Sequence, residues 1–400
     1  METSPGPRKR ILFLSYWSLR EPLNASAVFP YLHLLAERED VEAVHFITLE
    51  TARGPLPHVD LDIPKVRHKA LEPLVRKPHL LGKALLFVRA ILQLAMYIRR
   101  HRIDLVIAKA SIAGGLADLL HTLTGVPYNV ESFEPHSDYM VECGVWTKSS
   151  VRYKTLNRLE RRQLRRARYT ITVTHNHKAD LVAAGIPEER LHVIPSITDL
   201  AQFGHRPADR DRVRAELGIG PRSTVGIYVG KFGGLYFDEE AFRIFARAQA
   251  HFPDMHVVVL SPMDPDELRA KARRAGVAME RFHLRVVPHL EVSAYLSSAD
   301  LAFSPIKPSP IKRYQCPIKN GEYWACGLPI VMTDGISDDH VIMRKGIGGQ
   351  VFKHDLSDLD QAFAGVARTM ARPGYRAEMR ALAERYRSLE LAREVYRTVV

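Results

Sequence analysis

Four hundred residues exceed what one hydrophobic core ordinarily organises, and 46% hydrophobic with 26% charged residues excludes a disordered or fibrous chain. The formal net charge of +12, with a pI near 9.6, asks for an anionic partner: nucleic acid, an anionic membrane face or a phosphorylated small molecule. Cys143, Cys316 and Cys326 are odd in number and at no metal-ligand spacing, so neither a disulfide framework nor a zinc site is indicated and a reducing cytoplasm fits.

The opening METSPGPRKR has no apolar signal core, so a secretory signal is not expected. Strands are expected at ILFLS (Ile11 to Ser15), VHFITL (Val44 to Leu49), LVIAK (Leu105 to Lys109), YNVES (Tyr128 to Ser132), YTITVT (Tyr169 to Thr174) and HVIP (His192 to Pro195). Helical spacing covers Phe29 to Ala36, Leu80 to Arg100, Ala113 to Leu123 and Tyr153 to Arg166. Apolar strands separated by helices imply a parallel sheet covered on both faces. The most hydrophobic stretch, Leu80 to Ile98, is interrupted by Lys83 and Arg89. A charge near the centre of a spanning helix costs about 2.5 to 3.5 kcal/mol, so a buried or interfacial amphipathic helix is expected instead.

Ser196 to Pro221 is charged and turn-rich and reads as a linker with one short helix. A second alternation follows, with strands at TVGIYVG (Thr224 to Gly230), HVVVL (His256 to Leu260), HLRVV (His283 to Val287), LAFSP (Leu301 to Pro305), PIVMT (Pro329 to Thr333) and GQVF (Gly349 to Phe352). Two doubly wound halves place a ligand crevice at the carboxyl ends of their strands.

Four stretches carry chemistry. In CPIKNGEYWACG, Pro317 suits the first helical position, and the amides after it, including those of Ile318 and Lys319, can bind an anion. Glu322 would sit one to two turns in, able to accept hydrogen bonds from ribose hydroxyls; the bland alternative is a surface Glu. The turn YVGKFGGLYFDEE carries Gly230, Lys231, Gly233 and Gly234 and enters a helix near Asp238, so its backbone can approach a phosphate, or it is a plain connection. ESFEPHSDYMVECGVW reads as a loop after a strand, crowded with Glu131, Glu134, His136, Asp138 and Glu142. The run from Arg152 to Arg168 is opposed only by Glu160: a solvated face, or one for an anionic membrane, with nucleic acid last.

The second half, from YVGKFGG to TDGISDDHVI, resembles the donor-binding domain of the retaining glycosyltransferases of family four, of GT-B fold. The opening LSYWSLREPLNASAVFPYLHLLAERE, which includes Asn24, resembles that family's first strand, loop and helix. The resemblance implies two Rossmann-like doubly wound α/β domains facing a central cleft: residues 1–200 for the acceptor, 201–390 for the nucleotide-sugar donor, and 391–400 as a helical segment returning to the first domain. It makes Glu322 the second glutamate of the family's pair, Lys231 the basic residue that meets the diphosphate, and His136 the acceptor-domain histidine. Two departures stand out. The first glutamate is replaced by Tyr314, and the second basic residue, about six positions after Lys231, is Phe237; Lys312, Arg313 or Lys319 could supply the missing charge.

The reading is therefore a glycosyltransferase moving a sugar from a nucleotide-diphosphate donor to a carbohydrate, lipid-linked or other hydroxyl acceptor, with retention by likeness alone. A nucleotide-sugar epimerase and a non-catalytic nucleotide-binding protein are the alternatives. Catalysis is expected from His136, Lys231 and Lys319, donor binding from Gly230, Gly233, Gly234, Tyr314, Pro317, Ile318 and Glu322 as well, and acceptor contacts from Asn24, Glu134, His136 and Asp138. No metal or other cofactor is expected, since no Asp-x-Asp stands at the end of a strand in the second half and its nearest imitation, Asp338 and Asp339, reads as a helix start. No nucleic-acid partner is expected, and the location is cytoplasmic, peripheral on the inner membrane face through Arg152 to Arg168 and Lys77 to Arg100.

Overall fold

A computed structural model describes residues 8–21, 23–50, 54–56, 61–72, 80–234 and 236–400; the side chains at 25, 26 and 80–87 lie outside that description, as does Lys77. The chain forms two compact units, Met1–Ile194 with Glu390–Val400, and Pro195–Leu389.

In the first unit the strands are β1 (Lys9–Ser15), β2 (Val41–Leu49), β3 (Val66–Leu71), β4 (Leu105–Lys109), β5 (Tyr128–Ser132), β6 (Tyr169–Thr172) and β7 (Leu191–Val193). They pair in the order β3-β2-β1-β4-β5-β6-β7, all parallel, with Leu12 in register with both His45 and Val106. The helices are α1 (Asn24–Ala27), α2 (Phe29–Glu37), α3 (Leu80–His101), α4 (Ser111–Thr124), α5 (His136–Glu142), α6 (Val151–Arg166) and α7 (His175–Ala183). Alternation within each strand sends Leu12, Leu14, Val106, Ala108 and Val130 to one face, where Leu94, Ala95 and Ile98 of α3 and Leu116 and Leu120 of α4 close over them.

β3 escapes a reading based on apolar runs because VRHKAL is an edge strand with no fully buried residue. The segment from His136 to Glu142, expected as a loop, is α5. Glu160 is no surface counter-ion: it is 5% exposed, burial raises its carboxyl above the usual range, and it accepts from the Ser137 amide at 3.2 Å.

In the second unit the helices are α8 (Pro207–Leu217), α9 (Glu239–His251), α10 (Pro265–Arg274), α11 (His289–Ser298), α12 (Ile318–Ala325), α13 (Asp339–Arg344), α14 (Leu359–Met370) and α15 (Tyr375–Arg387); α16 (Leu389–Val399) then leads back into the first unit. The strands β8 (Val225–Val229), β9 (His256–Leu260), β10 (Phe282–Arg285), β11 (Leu301–Ser304), β12 (Ile330–Thr333) and β13 (Gly349–Phe352) pair in the order β10-β9-β8-β11-β12-β13, again all parallel. The stretch from Ser196 to Pro221 is not a free linker. Phe203, Val213 and Leu217 join the core of this unit, the buried Arg214 pairs with Asp300 at 2.7 Å, and the Ser196 hydroxyl and Thr198 amide donate to the carbonyls of Cys316 at 2.7 Å and Arg387 at 2.9 Å.

In each sheet the strand order reverses once, between β1 and β4 and between β8 and β11. The carboxyl ends of those strands are where a doubly wound fold opens a crevice.

Candidate active site

In the second unit the switch point is built by the turn after β8 and the segment leading from β11 into α12. Gly230 leaves β8 with φ +142°, a conformation open to glycine, and a Cβ there would lie 2.9 Å from Lys319 Nζ. Its amide is held by the Leu260 carbonyl at 2.9 Å. Gly233 and Gly234 continue the turn with φ +77° and +61°, and the Tyr236 amide folds back to the Gly233 carbonyl at 3.1 Å. Asp238 holds the N-cap position of α9 without a side-chain capping bond, its carboxylate pairing with Lys271 at 2.6 Å. Lys231 is exposed, and its carbonyl accepts from the Tyr228 hydroxyl at 2.5 Å.

Phe237 is 6% exposed and packs among Phe232 and Phe242. That position could not hold the second cation the family pattern asks for. Of the three candidates to replace it, Lys319 stands against the glycine turn, its Nζ 4.6 Å from the Tyr228 ring centroid and 4.7 Å from that of Tyr236. Lys312 approaches the same Tyr236 ring at 5.9 Å and donates to Gln315 Oε1 at 2.8 Å. The Arg313 guanidinium lies 5.5 Å from the ring of Tyr314, which ends a 3-10 turn over Pro310–Tyr314.

Pro317 is the N-cap of α12, one position earlier than expected, so Ile318 and Lys319 open the helix and their amides belong to its first turn. Glu322, 7% exposed, follows one turn in; its Oε1 lies 3.6 Å from His289 Nε2, and this neighbour raises the imidazole above its ordinary range. Burial pushes the Lys319 ammonium down to about 7, with Glu322 opposing and Lys312 reinforcing the shift.

α12 is held firmly. The Val229 amide at the end of β8 donates to the Tyr323 hydroxyl at 3.0 Å, and Trp324 Nε1 donates to the Gly348 carbonyl at 2.8 Å. Gly321 lets the helix approach its neighbours: a Cβ there would meet Thr198 Oγ1 at 2.2 Å and Arg387 Cγ at 2.9 Å. Asp338 and Asp339 do begin α13, but Asp339 is wholly buried, bonded to Arg387 and accepting from Asn320 Nδ2 at 2.8 Å. It bolts α12 and α13 together rather than complementing a dipole in solvent.

In the first unit, Asn24 opens α1 and is 1% exposed; its Nδ2 donates to the Ser18 carbonyl at 2.7 Å and that of Glu21 at 2.9 Å, folding the loop after β1. After β5, Glu134 Oε1 lies 3.6 Å from His136 Nδ1, and the His136 ring stacks on Tyr139 at 5.7 Å with Trp146 edge-on at 6.5 Å. Asp138 Oδ1 accepts from the Tyr153 hydroxyl at 2.9 Å. Glu131 stands apart from this group: it lies within β5, 4% exposed, paired with the buried Lys109 and bonded by Tyr396 of α16. Sequence reasoning missed His289 and the tyrosine pair around Lys319, because all three reach α12 across the fold and no spacing links them to Glu322. Among the described residues no group of three or more His, Cys, Asp or Glu could hold a metal ion.

Two family models match: a glycosyl transferase 4-like domain over residues 31–196 and glycosyl transferases group 1 over residues 225–369. Among curated relatives, a D-inositol 3-phosphate glycosyltransferase of Mycobacterium sp. (strain KMS) is 30% identical over 176 residues, 42% of this chain and 37% of that protein. One from Mycobacterium tuberculosis (strain F11) is 27% identical over 206 residues, 50% and 40% of the two chains. The matches thus cover well under half of those relatives' length. Among solved structures, Anabaena Alr3699/HepE in complex with UDP superposes with TM-score 0.71 at 16% identity, covering 98% of this chain and 99% of that one. The sucrose-phosphate synthase of Thermosynechococcus elongatus does so with TM-score 0.72 at 15% identity and the same coverage. With the two models spanning both Rossmann-like units, the chain belongs to the group 1 glycosyltransferases, of GT-B fold.

Proposed function

We propose that the chain transfers a sugar, a hexose in the first instance, from a nucleotide-diphosphate sugar to an acceptor hydroxyl with retention of configuration, serving synthesis of a surface polysaccharide or glycoconjugate. The second unit takes the donor and the first the acceptor. The observation that carries this reading is the convergence of a positive-φ glycine turn, the Lys319 side chain and a buried Glu322 at the β8/β11 switch point. Glu322 accepts from the ribose hydroxyls. The first amides of α12, with Lys231 and Lys319, neutralise the charge that grows on the β-phosphate as the sugar leaves, which lowers the barrier because it acts most strongly in the transition state. Tyr314, in place of a carboxylate, leaves the departing diphosphate to guide the acceptor hydroxyl onto the same face. His136, Glu134 and Asp138 orient the acceptor, and the reading needs no metal. The glycosyltransferase names of the relatives and the neighbours' complexes with UDP and UDP-glucose support it.

The test is a panel of nucleotide sugars with and without carbohydrate acceptors. Release of nucleoside diphosphate only when an acceptor is present is expected; turnover without one points to an epimerase, and binding without release to a non-catalytic module.

We further place the enzyme in the cytoplasm, on an anionic membrane face. Along α3, Val88, Leu92 and Met96 are 54%, 55% and 62% exposed at four-residue spacing, while Leu94, Ala95 and Ile98 point inward. Lys154, Arg158, Arg161 and Arg165 form an exposed basic stripe on α6, and α4 packs against both helices on the same sheet face. An apolar stripe beside a basic one suits a lipid surface, each base near anionic headgroups contributing about 1 kcal/mol. Among the described residues no helix is long and apolar enough to cross a membrane. Flotation with phosphatidylglycerol vesicles, weakened by salt and by Leu92→Asp, is the expected result; no binding at low salt removes the placement.

A further inference from the structure

We propose that Lys319 in the free protein is only partly protonated near neutral pH and becomes fully protonated when a nucleotide sugar binds, so that donor binding takes up protons from solvent. The proposal rests on the donor site described above and adds its regulation by pH.

Lys319 Nζ lies near the rings of both Tyr228 and Tyr236 and over Gly230, where a Cβ would come within 2.9 Å of it. Among the described residues it has no ion pair. The nearest carboxylate, Glu322 on its own helix, faces His289 of α11. Lys312, from the segment after β11, brings a second ammonium to the same Tyr236 ring. Tyr323, also on α12, is spent on the Val229 amide. Ring faces favour a cation, as does Glu322; burial and the neighbouring Lys312 disfavour it, and the balance brings the ammonium down to about 7, so that both forms are populated near neutral pH.

A nucleotide sugar alters that balance. Its diphosphate diester carries two permanent negative charges and no group that ionises near neutral pH. Set against the glycine turn and the first amides of α12, it would place opposite charge within reach of both lysines, and an opposite charge within about 4 to 6 Å favours the ammonium, raising its pKa by about one to three. The sign of the linkage follows. Donor affinity is constant while the free amine is already protonated, weakens about tenfold per pH unit between the free and bound values, and levels off above the bound one. Lys319 thereby carries its full positive charge when the diphosphate is present and only part of it, unpaired, in the free protein.

Two measurements test this on the full chain. The first needs no ligand: trace acetylation at a series of pH values, with the Lys319 peptide followed by mass spectrometry, is expected to show half-reaction near neutrality. A profile like that of exposed lysines, titrating near pH 10, overturns the proposal. The second is calorimetry of UDP-glucose binding in phosphate and in Tris, whose ionisation heats differ. Uptake of about half to one proton is expected near pH 8 and little near pH 6, and Lys319→Arg, permanently charged, is expected to abolish the uptake. Binding at pH 8 with no proton uptake overturns the coupling. If UDP-glucose and other nucleotide sugars fail to bind, the donor assignment falls and the coupling with it; the titration of the free amine, measured independently, then tells that failure apart from a wrongly assigned lysine.

Discussion

The Glu322 carboxylate is nearly buried, and its ion-pair neighbour among the described residues, His289, is itself solvent-facing. Glu322→Gln keeps the shape and removes the charge, so it should weaken nucleotide sugar and free nucleoside diphosphate alike by about 1.5 to 3 kcal/mol, measured by calorimetry. The same variant should return the His289 imidazole toward its ordinary range, read by NMR titration. The sign is fixed by the direction of the shift: a folded value above the unfolded one gives stabilisation that is complete at low pH and is lost as pH rises through the raised value. Lys231 differs in being exposed and free of any ion pair among the described residues. Lys231→Ala should therefore leave the melting temperature nearly unchanged while lowering turnover about a hundredfold, the scale of losing one preorganised donor. Full activity in that variant would remove Lys231 from the site.

At the scale of elements, the glycine turn and α12 act as one piece because the Val229 amide donates to Tyr323. Tyr323→Phe leaves that amide without its acceptor and should cost about 1 to 3 kcal/mol in urea unfolding. The turn also explains why the family's second cation has moved. Phe237 belongs to the aromatic core under α9, so Phe237→Lys should destabilise by about 3 to 5 kcal/mol, as an uncompensated buried charge does, rather than tighten donor binding. A folded Phe237→Lys variant of normal stability and higher donor affinity would contradict this account.

On the whole-molecule scale, the last eleven residues close the far face of the first sheet. Ala392, Tyr396 and Val399 are wholly buried, the Asn129 amide donates to the Val399 carbonyl at 2.9 Å, and Tyr396 completes the Lys109–Glu131 pair. Truncation after Leu389 should destabilise the first unit by about 3 kcal/mol or more from lost apolar burial alone. It also leaves the buried pair short of a hydrogen bond. A separate, lower melting transition is expected by calorimetry, and an unchanged thermogram would refute the role given to α16.

The sequence by itself determined the alternation of strands and helices, since strands of a covered parallel sheet read as short, mostly apolar runs: LVIAK, HVVVL and GQVF match β4, β9 and β13 residue for residue, as does YNVES for β5 despite its buried polar residues. It also placed the glycine turn and Glu322, because positive φ and a helix start leave local marks. It could not show β3, whose edge position tolerates VRHKAL, nor that the stretch after Ser196 belongs to a core. Only the tertiary structure decided which cation stands against Gly230, that His289 faces Glu322, and that Glu131 and Asp339 are internal bolts rather than site carboxylates. The physical reason is one of range. Backbone conformation and burial periodicity are written within a few residues, whereas the charge state and partner of a side chain depend on what the fold brings to it from a hundred residues away.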